Sequence, residues 1–545
     1  MKLLDAHRSV LTYLGVATLI ALAGLLAGVA WICDLLIALT AIITALQVFA
    51  RLTLEDARGF ARVVGIVALL ILIVVAVAAL TQVFGVGAFG AGRVPDAAHL
   101  PILIVLELCL LGAILHLAAA RRDVIARHRD PRHIGDFARH LFATSGLFKK
   151  VRHPRIGNFT LPGHKPVFMI GRFLHWFPRI APQVRARHGI GVWQQFCDLL
   201  VMGARHGLDA QVYYMFELYR PEQRGRAAGY LTRYEMKNGL YKVLTWQVAK
   251  SQRRIMLGDK LGMYRICQEH NIPTAPVLAV ADGGKLDFQD NTPADLRQDL
   301  FLKPRHAKGS RGTEVVRYAD GRYVTEDGTR LDYDGLVALI AARAKDESFL
   351  VQPRIRNHPG LADLADRALM RIRTVTCQDA TGKPVLTHAV LSNLCKLETG
   401  WPTDIELGSM IDIETGALGP MSGDKAEMWL DWHENHPVTK ARVLGRIVPC
   451  WEQAKQISVA AHEACSDRAL IGWDIAIGTM GAVLLEGNSY PDVDFLQRAH
   501  QRPAGESILG PILFARLADI EVRSAAGTLR GPMDYEPATG LDAKD

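Results

Sequence analysis

The sequence predicts a multi-domain protein, with an N-terminal α-helical membrane domain of four transmembrane helices followed by an α+β domain. Three observations predict it. Apolar residues crowd into long runs before residue 120. From about residue 251 onward, short strand-like runs alternate with amphipathic helical ones. Near the end of the chain, Asp474, Glu486 and Asn488 are spaced so that a β-hairpin would converge three oxygen-bearing side chains. A chain of 545 residues is also too long for a single core.

The first element is the apolar stretch 9–50, broken only at Trp31-Ile32-Cys33-Asp34 and long enough for two bilayer crossings with a turn at Asp34. Runs at 63–84 and 100–120 follow, so the expected spans are about 9–32, 34–50, 62–85 and 100–120 in a domain of residues 1–130. A cleaved signal peptide is not expected, because the first run is long and another follows at once. Lys2 and Arg8 precede the first span, Arg51, Arg58 and Arg62 lie between the second and third, and Arg121, Arg122, Arg127, Arg129 and Arg132 follow the fourth. The positive-inside rule then predicts a multi-pass protein of the inner (cytoplasmic) membrane with both termini and the C-terminal domain in the cytoplasm. The basic stretch after the last span suits anionic headgroups, which makes membrane lipids an expected partner. A net charge of +8 is modest for this length, and no recognition motif accompanies it, so nucleic acid is not an expected partner. None of the eight cysteines forms a Cys-x-x-Cys pair, which excludes a disulfide framework and a zinc site.

Residues 131–250 read as a helical connecting region, with helices around turns near 186–189 and 207–219. After residue 251 the pattern predicts a helix over 259–270 and strands over 300–304, 313–318 and 349–352. Further strands are expected over 371–378 and 385–391, with a turn at Asp412-Ile413-Glu414-Thr415-Gly416. Residues 336–344 and 447–464 read as helices, and 521–545 as a polar tail after a domain of residues 251–520. The final hairpin joins 472–477 to 483–488 through Gly478-Thr479-Met480-Gly481, which brings Asp474 nearly opposite Glu486. Two carboxylates and an amide oxygen form the kind of set that Mg²⁺ prefers beside nucleotide phosphates.

Other residues complete the pattern. Lys303 sits on an apolar strand, Phe301-Leu302-Lys303-Pro304, and is followed by His306-Ala307-Lys308-Gly309-Ser310-Arg311-Gly312, a loop whose glycines let backbone N–H groups approach phosphate. The spacing is not that of a P-loop. Lys260 follows Gly258-Asp259 at a helix start, and Arg373 lies among β-branched neighbours, with Arg371 at the same parity. His358, Lys396, Glu406 and Asp412 are candidate pocket residues, each read first as structural or solvated.

Taken in order, two lysines, a glycine loop, the hinge Leu350-Val351-Gln352-Pro353-Arg354, Arg373 and the Asp474/Glu486/Asn488 cradle resemble the ATP-grasp superfamily over roughly residues 250–510. More closely, the chain resembles the sugar-transfer-associated ATP-grasp family, related to the α-L-glutamate ligase-like proteins. The phrases that carry this are Leu350 to Pro359, Arg373-Thr374-Val375-Thr376, Ile471-Gly472-Trp473-Asp474 and Leu485-Glu486-Gly487-Asn488. Gln352 departs from the Glu that often begins the adenine hinge.

The resemblance implies an α+β ATP-grasp domain with ATP and one or two Mg²⁺ as cofactors. Lys260, Lys303, Gly309, Ser310, Arg311, Gly312 and Gln352 would bind nucleotide, Asp474, Glu486 and Asn488 the metal, and Arg373 would be catalytic. It further implies a ligase that joins a carboxylate to an amine or thiol through an acylphosphate, here membrane-anchored and acting on envelope polysaccharide or glycolipid. The expected partners are a small-molecule carboxylate, an amine or sugar-linked acceptor and envelope-polysaccharide enzymes. A phosphotransferase, or a non-catalytic nucleotide-binding subunit, would use the same parts.

Overall fold

The computed structural model describes residues 35–38, 40–42, 44–45, 71–72, 75, 130–144, 155–156, 159–160, 165–248, 257–306, 312–365, 369–395 and 405–529. The four-span membrane domain is not supported. Among the described residues no helix is long and apolar enough to cross a membrane. The spans expected at about 9–32, 34–50, 62–85 and 100–120 lie outside the described residues, except for fragments between 35 and 75. Described helices that are long enough are interrupted by charged residues. Lys165–His188 carries Arg172, Arg179, Arg185 and Arg187, and Leu509–Ala526 carries Arg516, Asp519, Glu521 and Arg523. Each such charge is costly in hydrocarbon. The fold class is instead a helical unit and an α+β domain, and the multi-pass inner-membrane placement falls with the spans.

The chain divides into two compact units, Met1–Asn238 and Gly239–Asp545. In the first, helices α1 (Ile134–Thr144), α2 (Lys165–His188), α3 (Val192–His206) and α4 (Ala210–Met215) surround the expected turns. Gly207 ends α3 in the left-handed conformation, and Asp209 caps α4 by accepting from the Val212 N–H at 3.1 Å. The neighbouring aromatics are core: Tyr213, Tyr214 and Tyr219 are fully buried, and the Tyr214 hydroxyl donates to Gln195 Oε1 at 3.1 Å.

The second unit begins with α5 (Tyr241–Val248) and α6 (Lys260–Glu269). A smaller antiparallel sheet contains β1 (Ala279–Asp282), β2 (Lys285–Asp287), β3 (Leu300–Pro304), β4 (Glu314–Ala319), β5 (Arg322–Val324), β6 (Arg330–Leu331) and β7 (Phe349–Pro353), in the order β2-β1-β7-β3-β4-β5-β6. Helix α7 (Tyr333–Arg343) covers one face, where Leu300, Leu302, Val316 and Val351 meet Leu336 and Ile340. Alternation puts Lys303 and Leu350 on the other face, and Leu350 packs there with Leu261 of α6.

The larger sheet contains β8 (Arg371–Gln378), β9 (Pro384–Cys395), β10 (Ile405–Ile411), β11 (Leu418–Gly423), β12 (Leu470–Gly478) and β13 (Gly481–Asn488), in the order β11-β10-β9-β8-β12-β13. Helix α8 (Trp451–Ala464) packs on one face against Ile372, Trp473, Ile475 and Leu407. Polar groups in that layer are paired: Thr374 with Ser458 at 2.7 Å, and Thr376 with His462 at 2.7 Å and with the Trp473 N–H at 2.9 Å. The opposite face carries Arg371, Arg373, Asp474 and Glu406, and α9 (Val493–Ala499) covers part of it by laying Phe495 on Gly408. Helix α10 (Leu509–Ala526) closes the domain.

Most expected strands and helices match within a few residues. Two boundaries differ. The helix expected from 447 begins at Trp451, because Pro449 and the left-handed Cys450 (φ 55°) interrupt it and leave Ile447 exposed. At the other end, α10 runs to Ala526, into the stretch that read as tail.

Gly416, at φ +74° in the β10–β11 turn, leaves no room for a side chain, since a Cβ would lie 2.8 Å from the Trp451 ring. Gly416→Ala is therefore expected to destabilise this domain by about 2 kcal/mol, through strain and overpacking together. A denaturant titration followed by tryptophan fluorescence measures this.

Candidate active site

Strand register builds one half of the site. Arg373 of β8 sits directly opposite Asp474 of β12, and Asp474 sits opposite Glu486 of β13. A one-residue bulge makes the second pairing possible: Asp474 pairs with Glu486 but Ile475 pairs with Leu484, so Leu485 is the extra residue. The bulge lets Leu484 point into the core while Glu486, at the same parity, joins the site face. Asn488 pairs with Gly472, one step further along that face.

Asp474 is 1 % exposed, and both its oxygens accept from Arg373, from Nε at 2.8 Å and Nη2 at 2.9 Å. Burial alone would raise the Asp474 pKa, but the Arg373 charge and hydrogen bonds hold it below the ordinary carboxylate value. Glu486 moves the other way, raised by burial and by the Asp474 charge, with Lys260 and Lys303 opposing. Arg371 extends the ladder. Its Nη2 donates to Glu406 Oε1 at 2.7 Å, and its Nη1 lies 4.0 Å from Asp474. Both arginines of the strand are therefore paired, and neither is simply solvated.

The other half comes from the small sheet and α6. Asp259 caps α6, accepting from the Leu261 and Gly262 N–H groups at 3.1 and 3.2 Å. The same carboxylate takes Nε and Nη2 of Arg305 at 2.7 and 2.5 Å. This clamp fixes the start of α6 to the end of β3 and so brings Lys260 beside Lys303. Lys303 is 8 % exposed, and burial together with the Lys260 charge lowers its pKa to about 8, against a raising effect of Glu486. Two linkers tie the halves together. Leu484 N–H donates to Pro273 O at 2.8 Å and His358 N–H to Ile477 O at 3.0 Å, so segments flanking the small sheet hold the β12–β13 hairpin.

The structure thus brings together Lys260, Lys303, Arg373, Asp474 and Glu486, with Asn488 one step away. Gln352 shares the Lys303 face of the small sheet, one repeat along; it is buried, and its Nε2 donates to Ala275 O at 3.0 Å. Gly309, Ser310 and Arg311 lie outside the described residues. Gly312 is described, at φ +70°, with a Cβ position 3.1 Å from Pro304 Cγ. Of the polar residues read as structural, His358 and Asp412 cap turns and Lys396 lies outside the described residues. Glu406 belongs to the site instead. Nothing in its own strand marks it, since its importance comes from Arg371 across the sheet.

Among the described residues, no group of three or more His, Cys, Asp or Glu is placed to hold a metal ion. The expected metal set contains only two such residues, Asn488 being the third. Its donors are all oxygens, and Glu486 is a buried carboxylate destabilised by its neighbour, a condition that a hard divalent cation relieves. The residues therefore fit Mg²⁺.

Residues 242–508 match the family model described as sugar-transfer associated ATP-grasp, which supports an ATP-grasp domain over the two-sheet region. Among solved structures, the VanG D-Ala:D-Ser ligase from Enterococcus faecalis is 11 % identical with a TM-score of 0.29, over 48 % of this chain and 61 % of that one. The D-alanine–D-alanine ligase from Bacillus anthracis complexed with ATP is 12 % identical with a TM-score of 0.28, over 49 % and 68 %. The chain thus spans about three-fifths of the first of these, and likenesses this slight carry no argument about activity. No curated protein matches the chain.

Lys303 gives the domain a pH signature. Its folded pKa of about 8 lies below the ordinary lysine value of 10.5, so between these values the unfolded chain binds more protons and stability rises with pH. The burial penalty is complete below pH 8 and gone above the unfolded pKa. Lys303→Met is expected to remove this rise, worth up to about 3 kcal/mol. The wild-type-minus-variant difference in denaturation midpoint across pH 7.5–10.5 reads it.

Proposed function

We propose that this protein is an ATP-dependent ligase that joins a carboxylate to an amine or thiol through an acylphosphate, with a saccharide-linked acceptor. One observation carries the reading. The Asp259–Arg305 clamp and the 3.2 Å bond from the Lys260 N–H to Arg305 O hold Lys260 at the end of the strand that carries Lys303, where the Lys260 charge lowers the Lys303 pKa and both ammonium groups act on the Glu486 carboxylate. Such a cluster is unfavourable by itself and is relieved by a polyanion bound with a cation. ATP with Mg²⁺ is that combination, and the ATP-grasp match supports it. The saccharide link rests on the family description alone.

In this reading, Lys260 and Lys303 hold the nucleotide phosphates, and Gln352 with its neighbouring backbone lies along adenine. Arg373 neutralises charge on the transferring phosphoryl group. Asp474, Glu486 and Asn488 would hold Mg²⁺, which when bound supplies further neutralisation of the phosphate oxygens. The substrate carboxylate oxygen attacks the γ-phosphorus and ADP leaves. The acceptor nitrogen or sulfur then attacks the acyl carbon, phosphate leaves, and the acceptor proton passes to solvent.

The test is turnover of the full-length protein with Mg-ATP and a panel of amino acids, sugar acids and amino-sugar nucleotides. ADP and phosphate are expected to form only when a carboxylate and an acceptor are both present. Lys303→Ala is expected to raise the KM for ATP tenfold or more, since it removes a charged phosphate contact. Release of AMP, or retention of the labelled γ-phosphate in a stable product, would overturn the ligase assignment.

A further inference from the structure

Arg373 and Arg371 project from the same face of β8, two residues and so about 6.8 Å apart. Their engagement differs. Arg373 spends two N–H groups on Asp474. Among the described residues, the one hydrogen bond of Arg371 runs from Nη2 to Glu406 Oε1. Its side chain is 23 % exposed, against 16 % for Arg373. Nε of Arg371 makes no hydrogen bond among the described residues, and Nη1 has only the long 4.0 Å ion-pair contact with Asp474, so both keep donor capacity on the site face while Glu406 holds the guanidinium in direction.

That carboxylate is itself built in. Glu406 also accepts from the hydroxyl of Ser392, which stands directly opposite Arg371 in the sheet. Its backbone N–H donates to Asp424 Oδ1 at 3.1 Å, and the Asp424 N–H returns a bond to Glu406 O at 3.0 Å. Burial would raise the Glu406 pKa, but the charges of Arg371 and Arg373 hold it below the ordinary value, so it stays an anion. Phe495, over Gly408, closes one side of this part of the face.

We propose that Arg371, aimed by Glu406 and Ser392, is the residue that grips the carboxylate of the substrate to be activated. The proposal rests on the ligase reading. It assigns to one strand two cations with separate tasks: Arg373 at the phosphoryl end, and Arg371 one strand repeat away, where the carboxylate to be activated would lie. A guanidinium fork presents paired donors that match a carboxylate. Glu406 is a positioning residue, which holds the fork without touching substrate.

The experiment compares wild type with Arg371→Lys, Arg371→Ala and the swap Arg371→Glu/Glu406→Arg in the full-length protein. Mg-ATP affinity is measured by calorimetry, and carboxylate-dependent ADP release with L-glutamate, D-alanine and glucuronate as probes, each in the presence of the amino acids and amino-sugar nucleotides as acceptors. Thermal melts report folding, and the swap keeps the ion pair if Arg371→Ala does not fold. The expected result is a carboxylate KM raised about tenfold or more in Arg371→Lys and in the swap, as for loss of a charge-assisted hydrogen bond, with ATP affinity within about twofold of wild type. Activity restored by the swap would show a purely structural pair and overturn the proposal. So would ATP affinity and carboxylate KM rising together. If wild type binds Mg-ATP but releases no ADP with any probe, the ligase reading fails first and this assignment falls with it. Failure of Arg371 alone shows instead as an unchanged carboxylate KM in active variants.

Discussion

A guanidinium and a carboxylate locked together in the middle of an antiparallel sheet constrain the rest of the domain. Asp474 is nearly inaccessible, and both its oxygens are taken by Arg373. A pair this buried is tolerated because the charges compensate and the hydrogen bonds are made; removing either partner would strand the other. The pairing also pins register. With Arg373 opposite Asp474, Ile372 and Thr374 on one strand and Trp473 and Ile475 on the other must all face α8. A slip of one residue would place the arginine in the apolar layer and the tryptophan in the site.

The site joins two halves, each carrying charges it cannot neutralise well alone. On one side, Asp474 and Glu486 crowd two carboxylates together. On the other, Lys260 and Lys303 crowd two ammonium groups. The clamp of Asp259 on Arg305 holds the lysine half, and the 273 and 358 linkers hold the hairpin half against it. Such an arrangement is preorganised for a ligand of alternating charge, and its cost is offset by the hydrophobic cores beneath both sheets.

Much of this fold was legible in sequence. Period-2 alternation located Arg371–Gln378, and a Gly-bounded turn located the last hairpin. The spacing brought Asp474 nearly opposite Glu486, and the bulge at Leu485 made the pairing direct. Other features had no local signal. Glu406 is an ordinary strand glutamate until Arg371 and Ser392 meet it from neighbouring strands. The engagement of Gln352 with the Ala275 carbonyl depends on a linker 77 residues away in sequence. The N-terminal apolar runs misled in another way: composition suggested membrane spans, whereas among the described residues no helix is long and apolar enough to be one.

The sequence by itself determined which residues could lie in strands and helices, because alternation, glycine turns and capping aspartates act within a few residues of one another. It also determined that Arg371 and Arg373 share a face. Tertiary structure alone decided which carboxylate each arginine meets, that Glu486 rather than Leu484 faces the site, and that two lysines from separate elements come together. Those outcomes depend on sheet order, a single-residue bulge and burial. Local sequence contains none of these, because electrostatic coupling reports distance in space rather than distance along the chain.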